Sequence, residues 1–292
     1  MNILVFGEIL WDIIEEVPLL GGAPLNFAVH VNRFGNNVAI ISCLGKDQLG
    51  DKALQKVEEF GIDTSLIQRS DKPTGYVPVT LENGQPEYEI IKDVAYDYIQ
   101  FENLDHASIS SYDVFYFGSL IQRGLASSQS LHNILGQHHF ENIFYDVNLR
   151  TNAYTKEVIE YSLNHCTILK VNYDEVVILS QMLFGLELDF VSFCANISSI
   201  YSQIKIIIMT SGKAGCQVYS DTIINKIPTE PIEVVDTVGA GDSFSAAFLA
   251  VYSKTLDPIA SAQIANEVGG FVASSYGAIP DYPEGLIAKL KS

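Results

Sequence analysis

The sequence predicts an α/β fold built on a mostly parallel sheet, with a small β flap set on it. Three observations carry this. Short β-branched or aromatic runs recur along the 292 residues and are nearly continuous in apolar character, as strands buried on both faces require. Helical patterns lie between them, and strand–helix alternation gives right-handed βαβ units and a parallel sheet. One stretch, 74–93, breaks the rhythm with two alternating runs around Asn83-Gly84, a strong hairpin signal.

Taken in order, "ILVFG" from Ile3 is the first strand, and residues 10–20 offer a further strand to the flap. A helical pattern runs from Leu25 to Phe34, then "VAIIS" from Val38 as a strand and Gly50 to Phe60 as a helix. After the hairpin come the strand "DVFYFG" from Asp113, the helix Ser127 to Gln137, and the strand "NIFYDV" from Asn142. Helix Lys156 to Asn164, strand "TILKV" from Thr167, and helices Asp174 to Leu183 and Phe190 to Tyr201 lead to the strand "IKIIIMT" from Ile204. There is no internal repeat or linker, so one domain over 1–292 is expected, its flap formed by about 10–20 and 73–101.

Composition narrows the function. The apolar fraction of 48% is ample for a large core, and the formal net charge of −18 argues against a general nucleic-acid binder, which needs clustered Lys and Arg. The four cysteines, Cys43, Cys166, Cys194 and Cys216, form no CxxC pair, so reduced thiols in a cytoplasmic protein are expected. The start carries Glu8 and Asp12 and no basic segment, which reads as a first strand rather than a signal peptide. No apolar run approaches the roughly 20 residues of a membrane span.

The stretch "DTVGAGDSFSAAFLA", Asp236 to Ala250, carries the chemistry. Gly239, Ala240 and Gly241 place successive backbone amides at a helix N-terminus, where unpaired N–H groups and the helix dipole favour an anion. Asp242 follows, an acid where a phosphate loop normally offers a base. An anion hole beside a carboxylate suits phosphoryl transfer to a hydroxyl: the amides take the phosphoryl charge and the carboxylate takes the acceptor's proton. A capped helix start is the plain use of the same residues. A dinucleotide fingerprint fails at Phe244, and a Walker A loop fails at "SGKAG", Ser211 to Gly215.

A second loop, "LLGGAPLNFAVHVNRFG" from Leu19, sets Gly21 and Gly22 for close backbone approach and opens a helix with Asn26. Asp12 lies just after the first strand, where α/β folds place ligand contacts.

Together these loops resemble the ribokinase-like sugar kinase family, of the phosphofructokinase-B type, over essentially the whole chain. "GGAPLNFAVHVNRFG" with "LGKDQLGDKALQKVEEFGIDTS" is similar to its N-terminal signature and "DTVGAGDSFSAAF" to its C-terminal one; "PTG", "DVNLR", "LKVNYDE" and "TSGKAG" follow in the family's order. The resemblance implies a doubly wound α/β domain, a β lid over the sugar, and ATP-dependent transfer to a sugar hydroxyl with Mg2+. It implies Asp242 as catalytic base, with Gly239, Ala240 and Gly241 as the anion hole. Asp12, Gly21, Gly22 and Asn26 would bind the sugar, and Arg150 the sugar or the phosphates. Lys170, Asn172, Thr210, Gly212, Gly215 and Asn266 fall on the nucleotide side. Glu175 would organise Mg2+ through water, and Asp236 would serve a monovalent-cation site, K+ in some relatives; Ser275 stands where several of these carry Arg.

"GGAPLN" is closer to fructokinase-type members than to ribokinases, which favours D-fructose as acceptor. Lys92, presented with Tyr88, Glu89, Tyr96 and Asp97 on the lid, is either a solvated charge or a contact for an acid such as 2-keto-3-deoxygluconate. Ribose, nucleosides and a catalytically silent sugar-binding regulator are the alternatives. The expected partners are sugar and ATP, with no nucleic acid or membrane, and a homodimer through the lid.

Overall fold

The structure, a computed structural model, describes residues 1–14, 17–82 and 85–291. In chain order the strands are β1 (Asn2–Phe6), β2 (Leu10–Ile14), β3 (Val17–Gly21), β4 (Asn37–Gly45), β5 (Ile67–Ser70), β6 (Gly75–Glu82) and β7 (Gln85–Tyr88). There follow β8 (Val114–Gly118), β9 (Asn142–Asp146), β10 (Ile168–Asn172), β11 (Ile206–Thr210), β12 (Cys216–Ser220) and β13 (Ile223–Ile227). The helices are α1 (Ala23–Arg33), α2 (Gln48–Glu59), α3 (His106–Ile109), α4 (Leu125–Gln137) and α5 (Lys156–His165). Then come α6 (Tyr173–Phe184), α7 (Phe190–Ile200), α8 (Ala240–Thr255), α9 (Pro258–Ala273) and α10 (Glu284–Lys291).

The main sheet has nine strands in the order β13-β12-β11-β10-β9-β8-β1-β4-β5. It is parallel from β11 through β5, and β12 and β13 close one edge antiparallel. Successive side chains of a strand point to opposite faces, and the core divides accordingly. Ile3 and Val5 of β1 pack in the layer containing α1, α2, α8 and α9, while Leu4 and Phe6 pack in the layer containing α4 to α7. Helices on both faces make this the expected doubly wound arrangement. From β1 the chain winds out through β4 and β5, then returns to β8 on the other side of β1. That reversal at β1 and β8 opens the crevice at the strands' carboxyl ends in which such sheets bind ligands.

A separate four-stranded sheet, in the order β3-β2-β6-β7, stands apart from the main one. Residues 10–20 supply two of its strands, β2 and β3, with Asp12 opposite Leu19. β2 and β6 pair in parallel, and β6 and β7 form an antiparallel hairpin with Glu82 opposite Gln85. Asn83 and Gly84, where the turn is expected, lie outside the described residues.

The expected lid boundary is corrected at its far end. Residues 94–101 leave the small sheet for the main core: Val94, Ala95 and Ile99 are fully buried, and so is nearly all of Tyr96. The segment is apolar enough to pay for its own ordering, and polar ties fix it to α4. Ser127 Oγ donates to Tyr96 O and accepts from the Ile99 amide, and Ser130 Oγ donates to Ile99 O. Asp97 is buried too, in an ion pair with Arg123 at 2.9 Å. Tyr96 and Asp97 are therefore a buttress beneath the lid and are not presented by it. β5, β12, β13, α9 and α10 also go beyond the sequence expectation. All four cysteines are buried and free, and among the described residues no helix is long and apolar enough to cross a membrane.

Candidate active site

The N-termini of α1 and α8 meet at the carboxyl ends of the central strands. At α8 the cap is Gly239, in the left-handed region at φ 77°. A Cβ there would lie 2.6 Å from Ala278 O, so the turn needs glycine for backbone and for space. The first amides of a helix have no intrahelical acceptor; in this turn Ala240 N bonds Thr237 O outside the helix at 3.3 Å. Asp242 stands in that first turn. It keeps some exposure, yet it is enclosed deeply enough that burial pushes its carboxyl up to about 6. The Asn26 bond opposes this, the nearby Asp146 charge adds to it, and Lys170 and Arg150 oppose it.

α1 begins at Gly22, at φ 112°, with Pro24 in its first turn. Asn26 is buried there and its Nδ2 donates to Asp242 Oδ2 at 2.8 Å. A carboxylate only accepts, so the amide nitrogen must face it. That leaves Asn26 Oδ1, buried and without a partner. Asp12 comes to the same place from β2: a Cβ on Gly21 would meet Asp12 Oδ2 at 2.8 Å, so the bare glycine makes room for the carboxylate. Burial raises Asp12 and the Arg150 charge lowers it. Arg150, itself exposed, acts electrostatically on Asp12, Asp242 and Glu8 and so faces their common crevice.

Behind the first turn of α8 lies a buried ion pair. Lys170 Nζ bonds both carboxylate oxygens of Asp146 at 3.0 and 3.1 Å. It would be 3.3 Å from a Cβ on Gly241, which puts its charge under the first turn of α8. Burial pulls the Lys170 ammonium down, but Asp146, Glu175 and Asp242 outweigh it and keep it charged. Asp146 is completed by Ser245 Oγ at 2.8 Å and Tyr116 OH at 3.2 Å. Asn172 and Glu175 form a capping box at the start of α6, as their spacing suggests. Glu175 is buried, and its two oxygens accept the Leu149 and Asn172 amides at 2.8 Å each. Each oxygen keeps a lone pair. Mg2+ takes one or two carboxylates and otherwise waters and phosphates, so the residues present fit an ion brought in with the nucleotide. Among the described residues no cluster of three or more His, Cys, Asp or Glu could hold a metal by itself.

Of the residues expected on the nucleotide side, Thr210, Gly212, Gly215 and Asn266 gather near the ends of β11 and β13. Thr210 ends β11, and Gly212 to Ala214 form a tight turn closed by Ser211 N donating to Gly215 O at 2.8 Å. Gly215, at φ 80°, lies so near the end of β13 that a Cβ would come within 2.1 Å of Ile227 O. Asn266 is buried, with its Nδ2 donating to Ile227 O at 3.1 Å; it braces this wall from behind. Asp236 spends both oxygens on backbone amides, of Val238 at 3.0 Å and Gly277 at 3.1 Å. Its assignment to a monovalent cation therefore rests on the resemblance alone. Lys92 is exposed and lines a groove of about 450 Å³ with Arg123 and Asn152, a groove that includes neither Asp242 nor Asn26.

Several site residues escape the sequence reading. Glu8 is buried beside Asp242 and Arg150, and Asp146 and Ser245 support Lys170. His30 ties α1 to the chain behind the first turn of α8: Nε2 donates to Ala278 O at 3.0 Å and Nδ1 accepts from Tyr282 OH at 2.7 Å. Burial pushes His30 down to about 3, so it is neutral. No motif spacing marks these residues: Ser245 meets Asp146 across 99 positions, His30 meets Ala278 across 248, and even Asp146 and Lys170 are 24 apart.

The chain is similar over nearly its whole length to sugar kinases of known sequence and structure. An uncharacterised sugar kinase of Pyrococcus horikoshii is 27% identical, with 93% of this chain and 90% of that protein covered. Its crystal structure in complex with ATP superposes with a TM-score of 0.81 at 26% identity, covering 94% of this chain and 93% of that one. Fructokinase-1 of Zea mays is 26% identical, with 96% of this chain and 94% of that protein covered. A fructokinase with bound ATP from Xylella fastidiosa shares the fold at a TM-score of 0.87 and 22% identity, over 99% of this chain and 97% of that one. The model of the pfkB family carbohydrate kinases matches residues 15–285, and the chain, an ATP-dependent phosphotransferase, belongs to that family.

Proposed function

We propose that this carbohydrate kinase transfers the γ-phosphoryl group of ATP to a primary hydroxyl of a small free sugar, D-fructose before others. The observation that carries this is the Asn26–Asp242 bond at 2.8 Å, which joins the acceptor loop to the phosphate loop. Asp242, raised to about 6, is ionised at neutral pH and still basic enough to accept a proton. It takes the hydroxyl proton as the acceptor oxygen bonds to the γ-phosphorus. The bond from that phosphorus to the β,γ-bridging oxygen breaks, and ADP leaves. The Gly239–Asp242 amides and the Lys170 charge beneath them hold the transferred group. Mg2+ bound with the nucleotide neutralises charge across the phosphates. Asp12, Gly21, Gly22 and Asn26 hold the sugar's remaining hydroxyls, with the small sheet as the lid over them. The buried free thiols accord with a cytoplasmic location.

The test is a panel of sugars and nucleosides with ATP and Mg2+, scored by kcat/KM. D-fructose should rank first. The second reading, an acceptor bearing a carboxylate, would need Lys92, which lies in a groove apart from Asp242 and Asn26. Should 2-keto-3-deoxygluconate beat fructose tenfold, and Lys92→Ala abolish that lead, the fructose assignment is wrong and the kinase assignment stands. Sugar binding with no transfer to any acceptor would instead make the protein a silent regulator.

A further inference from the structure

Glu8 follows β1 at the point where the sheet reverses, and it is 4% exposed. Its Oε2 is sealed from solvent and has no hydrogen-bond partner. Such an atom is costly to bury unless something occupies it at another stage of the protein's work. The second orphan of this wall is Asn26 Oδ1, closer to Asp242 because the nitrogen of the same amide group bonds it. Gly22 joins the two. Its carbonyl accepts the Asn26 amide at 2.9 Å, and a Cβ on it would lie 2.6 Å from Glu8 O and 3.6 Å from Glu8 Cγ. The bare glycine thus lets the loop that opens α1 pack directly against Glu8, which sets the orphan carboxyl oxygen beside the loop that carries Asn26. Arg150 and Asp242 lie near enough for their charges to act on Glu8.

We propose that Glu8 binds the acceptor: its Oε2 receives a hydrogen bond from a sugar hydroxyl other than the one Asp242 deprotonates. This rests on the reading of the Asn26–Asp242 end as the acceptor site. A carboxyl accepts such a bond in either protonation state. The paired orphans Glu8 Oε2 and Asn26 Oδ1 then become two fixed acceptors that select for hydroxyls at two positions of the sugar.

The test uses the full chain, the best sugar of the panel, and the monodeoxy derivatives of that sugar. Glu8→Ala should raise the sugar KM at least tenfold and leave the ATP KM within twofold, and Glu8→Gln should recover most of the loss. One monodeoxy sugar should lose at least tenfold in kcat/KM with the natural chain and lose nothing further with Glu8→Ala. If Glu8→Ala does not fold, Glu8→Met fills the same volume, removes the acceptor atom and carries the same comparison. Additive losses at every deoxy position, or equal rises in both KM values, overturn the proposal while the acceptor-site reading stands. Failure of the natural chain to phosphorylate any sugar overturns both.

Discussion

At the scale of single residues, Asp242 answers to two forces of opposite sign. Burial and Asp146 disfavour its charge, and Asn26, Lys170 and Arg150 favour it, with burial the largest. A base must be ionised to act, so kcat/KM should climb with pH through about 6 and level off above it. Glu8, pushed up to about 7 chiefly by burial, titrates in the same range. Glu8→Gln should remove its contribution and leave the Asp242 limb. Asp242→Asn should keep the fold and ATP affinity and lower kcat by ~10²–10⁴-fold, the usual worth of a general base. Turnover near that of the natural chain, or a pH profile without a limb near 6, would mean another group takes the proton. Asp242 and Asn26 were legible in the sequence because each follows glycines at the head of a helix, a pattern with local meaning. Glu8 was not. It sits in an apolar strand end, its charge looks like mere solvation, and only the fold brings Gly22 and Asp242 to it.

At the scale of elements, the site depends on turns that tolerate no side chain. Gly239→Ala would force a positive φ on alanine and press its Cβ against Ala278 O. The backbone strain alone costs of the order of 1–3 kcal/mol, and relief of the clash must move the amides of the anion hole. Denaturant unfolding should show the lost stability, and kinetics a fall in kcat/KM for ATP and sugar alike; a variant unchanged in both would leave no reason for glycine here. The small sheet makes a different demand. Replacing residues 81–88 by a two-residue turn removes all of β7 and the end of β6 but keeps the pairing of β6 with β2. As a lid it shields the phosphoryl group from water, so its loss should raise the sugar KM and the share of ATP hydrolysed without sugar phosphorylation. An unchanged ratio in a folded variant argues against a lid. The central strands were readable because burial on both faces leaves nearly unbroken apolar runs. β12 and β13 were not: they lie at the sheet's edge, and "CQVYS" and "IINKI" mix polar with apolar residues. The segment 94–101 was assigned to the lid because it directly follows the hairpin, and its burial under α4 is a tertiary fact with no local signal.

At the scale of the whole molecule, two features act against each other. One edge of the small sheet is β3, and Val17 and Leu19 on it are 56% and 53% exposed. An open edge strand with exposed apolar side chains is a surface that natural proteins normally cover. A second copy pairing through this sheet would cover it, and would also carry the lids of both copies. Against this stands the net charge of −18 on each chain, which repels like copies at long range. Apolar docking gains little from dilute salt, whereas that repulsion is screened within about 10 Å at 0.1 M ionic strength. We therefore expect light scattering to give twice the mass of one chain, with the dimer weakening at low ionic strength and tightening as salt is added. Val17→Asp together with Leu19→Asp should return a single-chain mass at every salt concentration, since the added acids sit on the proposed seam. A single-chain mass for the natural sequence at high salt, or a dimer indifferent to the two substitutions, would remove the small sheet as the interface.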